Sequence, residues 1–253
     1  MKINEIFSVL DEVAPLKLSH DFQKMIDGYD NSGILASVDG DITGIVFTLD
    51  LTDACVDFAI KNRCNLIVTH HPAIYAPVKT IDGALRKCLN NGIGIISMHL
   101  NLDCAKEGID YHLAKALGGV NQKIIFDLEN GCGYGRVFEV DATLNEIKNN
   151  YIKIFKTENV MAFGNSGNEI KKIASFCGSG LDVKEIELAR EADLFISSDI
   201  KHHVILYALE KGKCVLCVSH YSSEVYGFKK YFENVKEKLN DTNCVFFENA
   251  QML

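Results

Sequence analysis

Three apolar residues, a hydroxyl, two adjacent histidines and a proline follow one another at Leu66-Ile67-Val68-Thr69-His70-His71-Pro72. An unbroken apolar run bounded by a breaker predicts a buried strand. Successive side chains on a strand face opposite ways, so a continuing strand would send His70 and His71 apart. Pro72 has no N–H for the ladder, which argues that the strand ends here and the chain turns. Two imidazoles at such an end could serve two nearby metal ions; an exposed loop with two histidines is the plainer alternative.

A chain of 253 residues can build one or two domains. Its 47% hydrophobic and 24% charged content are those of an ordinary globular protein. The segment Met1-Lys2-Ile3-Asn4-Glu5-Ile6-Phe7 lacks the apolar stretch of a secretory leader, and no apolar run reaches the ~18 residues of a membrane span. Nine cysteines lie scattered in apolar surroundings, which predicts free thiols in a reducing cytoplasm. The net charge of −8 argues against a main surface that binds nucleic acid.

Taken in order, Ile3, Ile6, Phe7 and Leu10 predict an amphipathic helix ending near Pro15, and residues 21–25 a second. Residues 34–37 and 42–48 read as strands, with Asp39-Gly40 as a hairpin turn between them. Helices are expected at 54–61, 84–90 and 109–117, and a buried strand at 94–99. Helices alternating with near-continuous apolar strands indicate an α/β domain with a largely parallel sheet. In the middle, the glycines of 131–136 do not fit a dinucleotide fingerprint and read as a turn at an interdomain crossing. Thr143 and Glu146 form a capping box for a helix to Phe155. Strands at 173–177, 194–196, 214–218 and 245–247 alternate with helices at 183–192, 202–210 and about 226–239.

Two stretches repeat about half the chain apart. Leu66 to His71 compares with Leu194 to Asp199, and Gly94 to His99 with Cys214 to His220. Asp103 follows His99 by four residues, as Glu224 follows His220. The repeat suggests two similarly built α/β domains, with a site drawing ligands from both. At i and i+4 on a strand, such side chains would stand ~13 Å apart, at about 3.3 Å per residue. On a helical turn their Cβ atoms are about 5–6 Å apart, close enough to share an ion. His70, His71, Asp103, His220 and Glu224 make three imidazoles and two carboxylates, a set suited to zinc, iron, manganese or nickel rather than calcium or magnesium. Five side chains leave coordination positions open, the mark of a catalytic site. Two divalent ions against two carboxylates leave the site positive, which favours a small anionic or phosphorylated substrate.

Other signals have plainer readings. Cys214 and Cys217 form a C-x-x-C whose sulfurs point to opposite faces of a strand, as structural thiols. Gly178-Ser179-Gly180 lacks the lysine of a phosphate loop. Asp199 could cap a helix or join the site. His99 and Asn101 could orient Asp103 or substrate, and His202 and His203 could support the site or lie on the surface.

The segments Tyr29-Asp30-Asn31-Ser32-Gly33, Thr69-His70-His71-Pro72, His99-Leu100-Asn101-Leu102-Asp103, Cys177-Gly178-Ser179-Gly180, Ser198-Asp199-Ile200-Lys201-His202-His203 and His220-Tyr221-Ser222-Ser223-Glu224 occur in that order. Together they resemble the Nif-three-like family, whose members are labelled GTP cyclohydrolase 1 type 2 homologues. The resemblance covers nearly the whole chain. It departs at Tyr29, where the family usually has Trp, at Leu100, usually Thr, and at Ser198 and Ser219, usually Gly. The span between Val120 and Asn168 is too short for the inserted domain of longer relatives. The resemblance implies a toroidal homohexamer, a trimer of dimers, with a dinuclear centre facing the ring. It also implies that His70, His71, Asp103, His220 and Glu224 are the ligands, with Glu224 bridging.

The expected fold is therefore two similarly built, interlocked α/β domains with mixed sheets and a dimetal site at their interface. The first would span residues 1–120 and 225–253, the second 121–224. The expected function is a hydrolase that uses metal-activated water on a phosphorylated or nucleotide-like substrate, with two divalent ions per subunit and His99 or His202 as proton shuttles. The alternative is a non-enzymatic toroidal scaffold or chaperone that binds a partner protein or nucleic acid; the net acidity bears on the outer surface of the ring only.

Overall fold

The computed structural model describes residues 1–239 and 242–252. The chain opens with α1 (Ile3–Val13), α2 (Leu16–Ile26), β1 (Gly33–Ala36), β2 (Ile45–Thr48) and α3 (Asp53–Lys61). Next come β3 (Leu66–Thr69), α4 (Gly83–Asn90), β4 (Gly94–Ser97), the single turn α5 (Leu100–Asp103) and α6 (Ile109–Ala116). The middle holds β5 (Val120–Asp127), β6 (Gly133–Thr143), α7 (Leu144–Phe155), β7 (Val160–Phe163) and β8 (Glu169–Ser175). The rest is α8 (Val183–Leu188), β9 (Leu194–Ser198), α9 (His202–Glu210), β10 (Cys214–Val218), α10 (His220–Lys238) and β11 (Cys244–Phe246). The chain forms two compact units, Met1–Ala105 with Phe228–Met252, and Lys106–Gly227. Helix α6, which the sequence reading grouped with the first domain, lies in the second unit because Leu113 and Ala114 pack with Phe138 and Leu144.

The first unit carries a five-stranded sheet in the order β1-β4-β3-β2-β11. Four of its strands are parallel, and β1 runs antiparallel to β4 on the edge. The hairpin expected around Asp39-Gly40 does not form: β1 pairs with β4, two strands away from β2. A tight turn reads locally as a hairpin, but the apolar β2 gains more as a central strand covered on both faces. Every residue of β2, β3 and β4 is buried. On one face, Val46, Ile67 and Ile95 pack against Val56 and Ala59 of α3 and Cys88 of α4. The Thr52 hydroxyl starts α3 by accepting the Cys55 N–H at 3.2 Å, a standard N-cap.

The second unit carries a six-stranded sheet in the order β5-β6-β8-β9-β10-β7. Strands β8, β9 and β10 are parallel and the rest antiparallel, so this sheet too is mixed. The glycine-rich stretch 131–136 lies between and within β5 and β6, paired strands of one unit. It is not an interdomain crossing. Strand β5 has no signature in the sequence because it is a largely exposed edge with no clean alternation of apolar residues. The Thr143–Glu146 capping box forms as expected, with the Thr143 N–H donating to Glu146 Oε2 at 2.7 Å. The core gathers Phe138, Tyr151, Ile173, Leu194 and Leu216 between sheet and helices.

Both units contain the repeated motif as folded structure. In one, β3 and β4 are parallel neighbours joined through α4; in the other, β9 and β10 are parallel neighbours joined through α9. In each case the second strand leads into a helix that carries an acid, Asp103 at the end of α5 and Glu224 in the first turns of α10. Among the described residues, no helix is long and apolar enough to cross a membrane.

Candidate metal centre

In the first unit, the site forms where β3 stops. Past the ladder the backbone stays bonded to the neighbouring segment, with His70 N–H donating to Thr48 O at 3.1 Å and His71 N–H to Leu49 O at 3.0 Å. His70 is fully buried, and its Nδ1 lies 2.7 Å from Met98 O. A carbonyl oxygen can only accept, so Nδ1 carries the proton and the Nε2 lone pair is presented. That Nε2 stands 3.5 Å from Oδ1 of buried Asp103. The Nδ1 of His71 meets Asp50 Oδ1 at 2.7 Å.

A third imidazole joins them. His99 immediately precedes α5, and its Nδ1 lies 2.7 Å from Asp30 Oδ1. The hydroxyls of Ser19 and Ser32 both donate to Asp30 Oδ2 at 2.6 Å. Burial pushes the Asp30 carboxyl up, but hydrogen bonds from His99, Ser19 and Ser32 and the attraction of the imidazole outweigh it. Asp30 is held well below the ordinary carboxylate range, and so stays ionised beside the ring. One ligating nitrogen from each of His70, His71 and His99 lies within 4.8 Å of the others, a group that could hold a metal ion.

In the second unit, α10 begins directly at His220, so His220 and Glu224 are helical neighbours rather than strand residues. His220 Nε2 lies 3.3 Å from Glu224 Oε1, and its Nδ1 lies 2.5 Å from Asp199 Oδ2. Asp199 adopts a left-handed backbone, with φ of 52°, uncommon for a residue with a side chain. Gly178, with φ of 58°, packs against this pair. A Cβ at Gly178 would lie 2.6 Å from Glu224 Oε1 and 3.2 Å from His220 Nε2. The Gly178 carbonyl accepts the hydroxyls of Ser197 and Ser198, and its N–H donates to Ser223 Oγ.

All four imidazoles share one arrangement: Nδ1 tied to an oxygen, Nε2 presented. Histidine ligands of metals are usually held in this way, the outer oxygen setting the tautomer and strengthening the ligating nitrogen. Neutral imidazole nitrogens beside buried carboxylates are donors for borderline transition ions. Within each unit the residues present therefore fit metal ligation.

Of the residues expected from sequence, His70, His71 and Asp103 gather in the first unit, and His220 and Glu224 in the second. His99, expected as an outer or proton-shuttling group, sits among the possible ligands. His202 is exposed at the start of α9. Asn101 ties its amide to Ala14 O at 2.7 Å, fixing α5 against α1 rather than orienting Asp103. Asp199, open between capping and the site, pairs with His220. Asp30 and Asp50 are imidazole partners that the sequence alone does not mark. The parallel register pairs Thr48 with Thr69, so residue 50 falls level with 71; that signal becomes usable once the strands are known to be neighbours.

The Duf34/NIF3 (NGG1p interacting factor 3) family model matches residues 1–252. A GTP cyclohydrolase 1 type 2 homolog from Clostridium perfringens is 33% identical over 252 residues, covering 95% of this chain and 93% of that one. Another from Methanocaldococcus jannaschii is 30% identical over 247 residues, covering 95% and 97%. The crystal structure of Staphylococcus aureus hypothetical protein SA1388 superposes with a TM-score of 0.87 at 26% identity, covering 98% of this chain and 97% of that one. With the family model matched along almost its whole length, the chain belongs to the NIF3 family.

Proposed function

We propose that the protein is a dinuclear metal-dependent hydrolase whose ligands are His70, His71, Asp103, His220 and Glu224. The observation that carries this reading is the shared tethering of the imidazoles: each Nδ1 is engaged by an oxygen, which assigns ligation to Nε2. Divalent ions held there would supply an acidified water, its pKa brought from 15.7 towards about 7, and a Lewis acid. The chain's own residues hold that chemistry in place. Asp50 and Asp199 keep His71 and His220 in the ligating tautomer, and the Gly178 turn limits where Glu224 can move. The name that these relatives carry, GTP cyclohydrolase 1 type 2 homolog, supports a nucleotide-like substrate for this chain as well.

The nine cysteines, outside any disulfide and nearly all buried, fit a reducing cytoplasm. The proposed assembly is the homohexamer that the family resemblance implies. Exposed apolar side chains in the first unit, Tyr29, Tyr75 and Ile81, supply surface that association would cover.

The test joins metal analysis to turnover. Wild-type protein should bind up to two ions per chain, and His71→Ala and Glu224→Gln should each lose metal or turnover of a phosphorylated or nucleotide substrate. No metal in the wild type, with the same result in both variants, overturns the reading. Metal without turnover across a broad nucleotide panel would favour a scaffold.

A further inference from the structure

A cavity of about 370 Å³ opens in the first unit beside His71, between the residues that follow β2 and the first turn of α4. That volume lies within the ~300–1,000 Å³ typical of small-molecule sites. Leu51, Ala73, Val78 and Leu85 give it apolar walls, while Asp50, Thr80 and Asp82 supply its polar edge with His71. Two opposed fields meet there. The first N–H groups of α4 carry the equivalent of about +0.5 charge, which alone would suit an anion. Asp50 and Asp82 each bring a full negative charge, and none of the eleven lining residues is lysine or arginine. The carboxylates win. Asp82 stands at the N-cap position of α4 without a side-chain bond to the helix, so its oxygens remain available as acceptors.

We propose that this cavity takes the uncharged, amino-bearing ring of the substrate. A flat heterocycle would pack its faces on Leu51, Val78 and Leu85 and donate its N–H groups to Asp82 and Thr80. Phosphate is excluded from it by the two carboxylates. The inference deepens the proposed function and rests on it in one respect, that His71 belongs to the reaction site.

The experiment follows the backbone amides of residues 78–85 by NMR in metal-free and in zinc-loaded protein. The probes are guanosine, inosine, which lacks the exocyclic amine, and inorganic phosphate. Guanosine should shift these amides in both forms. Inosine should bind about tenfold or more weakly, the loss expected for one hydrogen bond to a charged acceptor. Phosphate should leave these amides unmoved. Asp82→Asn should weaken guanosine by a similar factor, and Ala84→Phe should abolish its binding by filling the cavity while metal uptake stays at the wild-type level. Larger shifts with phosphate, equal binding of inosine, no response to guanosine, or guanosine binding that survives both variants would each overturn the proposal. Guanosine binding in a protein that takes up no metal would sink the proposed function and leave the cavity assignment standing; metal uptake without guanosine binding would do the reverse.

Discussion

His71 Nδ1 lies 2.7 Å from Asp50 Oδ1, and the parallel register of β2 and β3 is what brings them level. Thr48 stands opposite Thr69, and two residues further along each strand place a carboxylate beside an imidazole. Neither residue has to reach; the ladder delivers both. Asp50 thereby fixes which nitrogen of His71 carries the proton.

Removing that carboxylate should weaken the metal site without unfolding the protein. Asp50 is half-buried at the end of a strand, so Asp50→Ala makes no core cavity. Loss of such an outer partner typically costs about 10–100-fold in metal affinity. Competition against a chromophoric chelator, with circular dichroism to check folding, measures it. An unchanged affinity would show that His71 does not ligate.

Gly178→Ala should lower both stability and metal affinity. The left-handed backbone alone costs a side chain about 1–2 kcal/mol, and the new Cβ would also crowd Glu224 and His220. Gly40→Ala is the control: its φ is 86°, but a Cβ there meets nothing within 4 Å. Thermal melts should register both substitutions, and metal titration only Gly178→Ala.

The low carboxyl of Asp30 gives the metal-free protein a specific acid sensitivity. A carboxylate whose folded pKa is depressed contributes stability that is complete above the unfolded value, about 3.9, and is lost as pH falls through the folded one. Urea unfolding of wild type and Asp30→Asn should therefore differ most near pH 7. The gap should close progressively below about pH 4. A gap that stays constant down to pH 3 would show that hydrogen bonding alone, and not ionisation, accounts for the role of Asp30.

Thiol labelling should single out Cys132. Burial pushes Cys55 up to about 12 and Cys88 and Cys244 up to about 11, suppressing their thiolates, and Cys132 alone of the nine cysteines is not fully buried. Iodoacetamide at pH 8, followed by mass spectrometry, should modify Cys132 first in the native protein and all nine in denaturant.

Much of the architecture is written locally. The apolar run of β3 and its stop at Pro72, the Thr143–Glu146 cap, the Thr52 start of α3 and the repeated strand–helix–strand units depend on residues within a few positions of one another, and the chain states them directly. The pairs His99–Asp103 and His220–Glu224 are legible for the same reason: their spacing of four, with a strand about to end, says that each pair belongs to a helical turn. What the sequence left open depends on which strands become neighbours. It could not place β1 against β4 instead of β2, nor recognise β5, an exposed edge that buries too little to show a pattern. The imidazole partners were hidden on the same ground. Asp30 and Asp50 are far along the chain from His99 and His71, and only the folded sheet and its flanking turns bring them within 2.7 Å. Hydrogen-bond geometry at a site is a property of tertiary register, because an error of one residue along a strand turns a side chain to the opposite face.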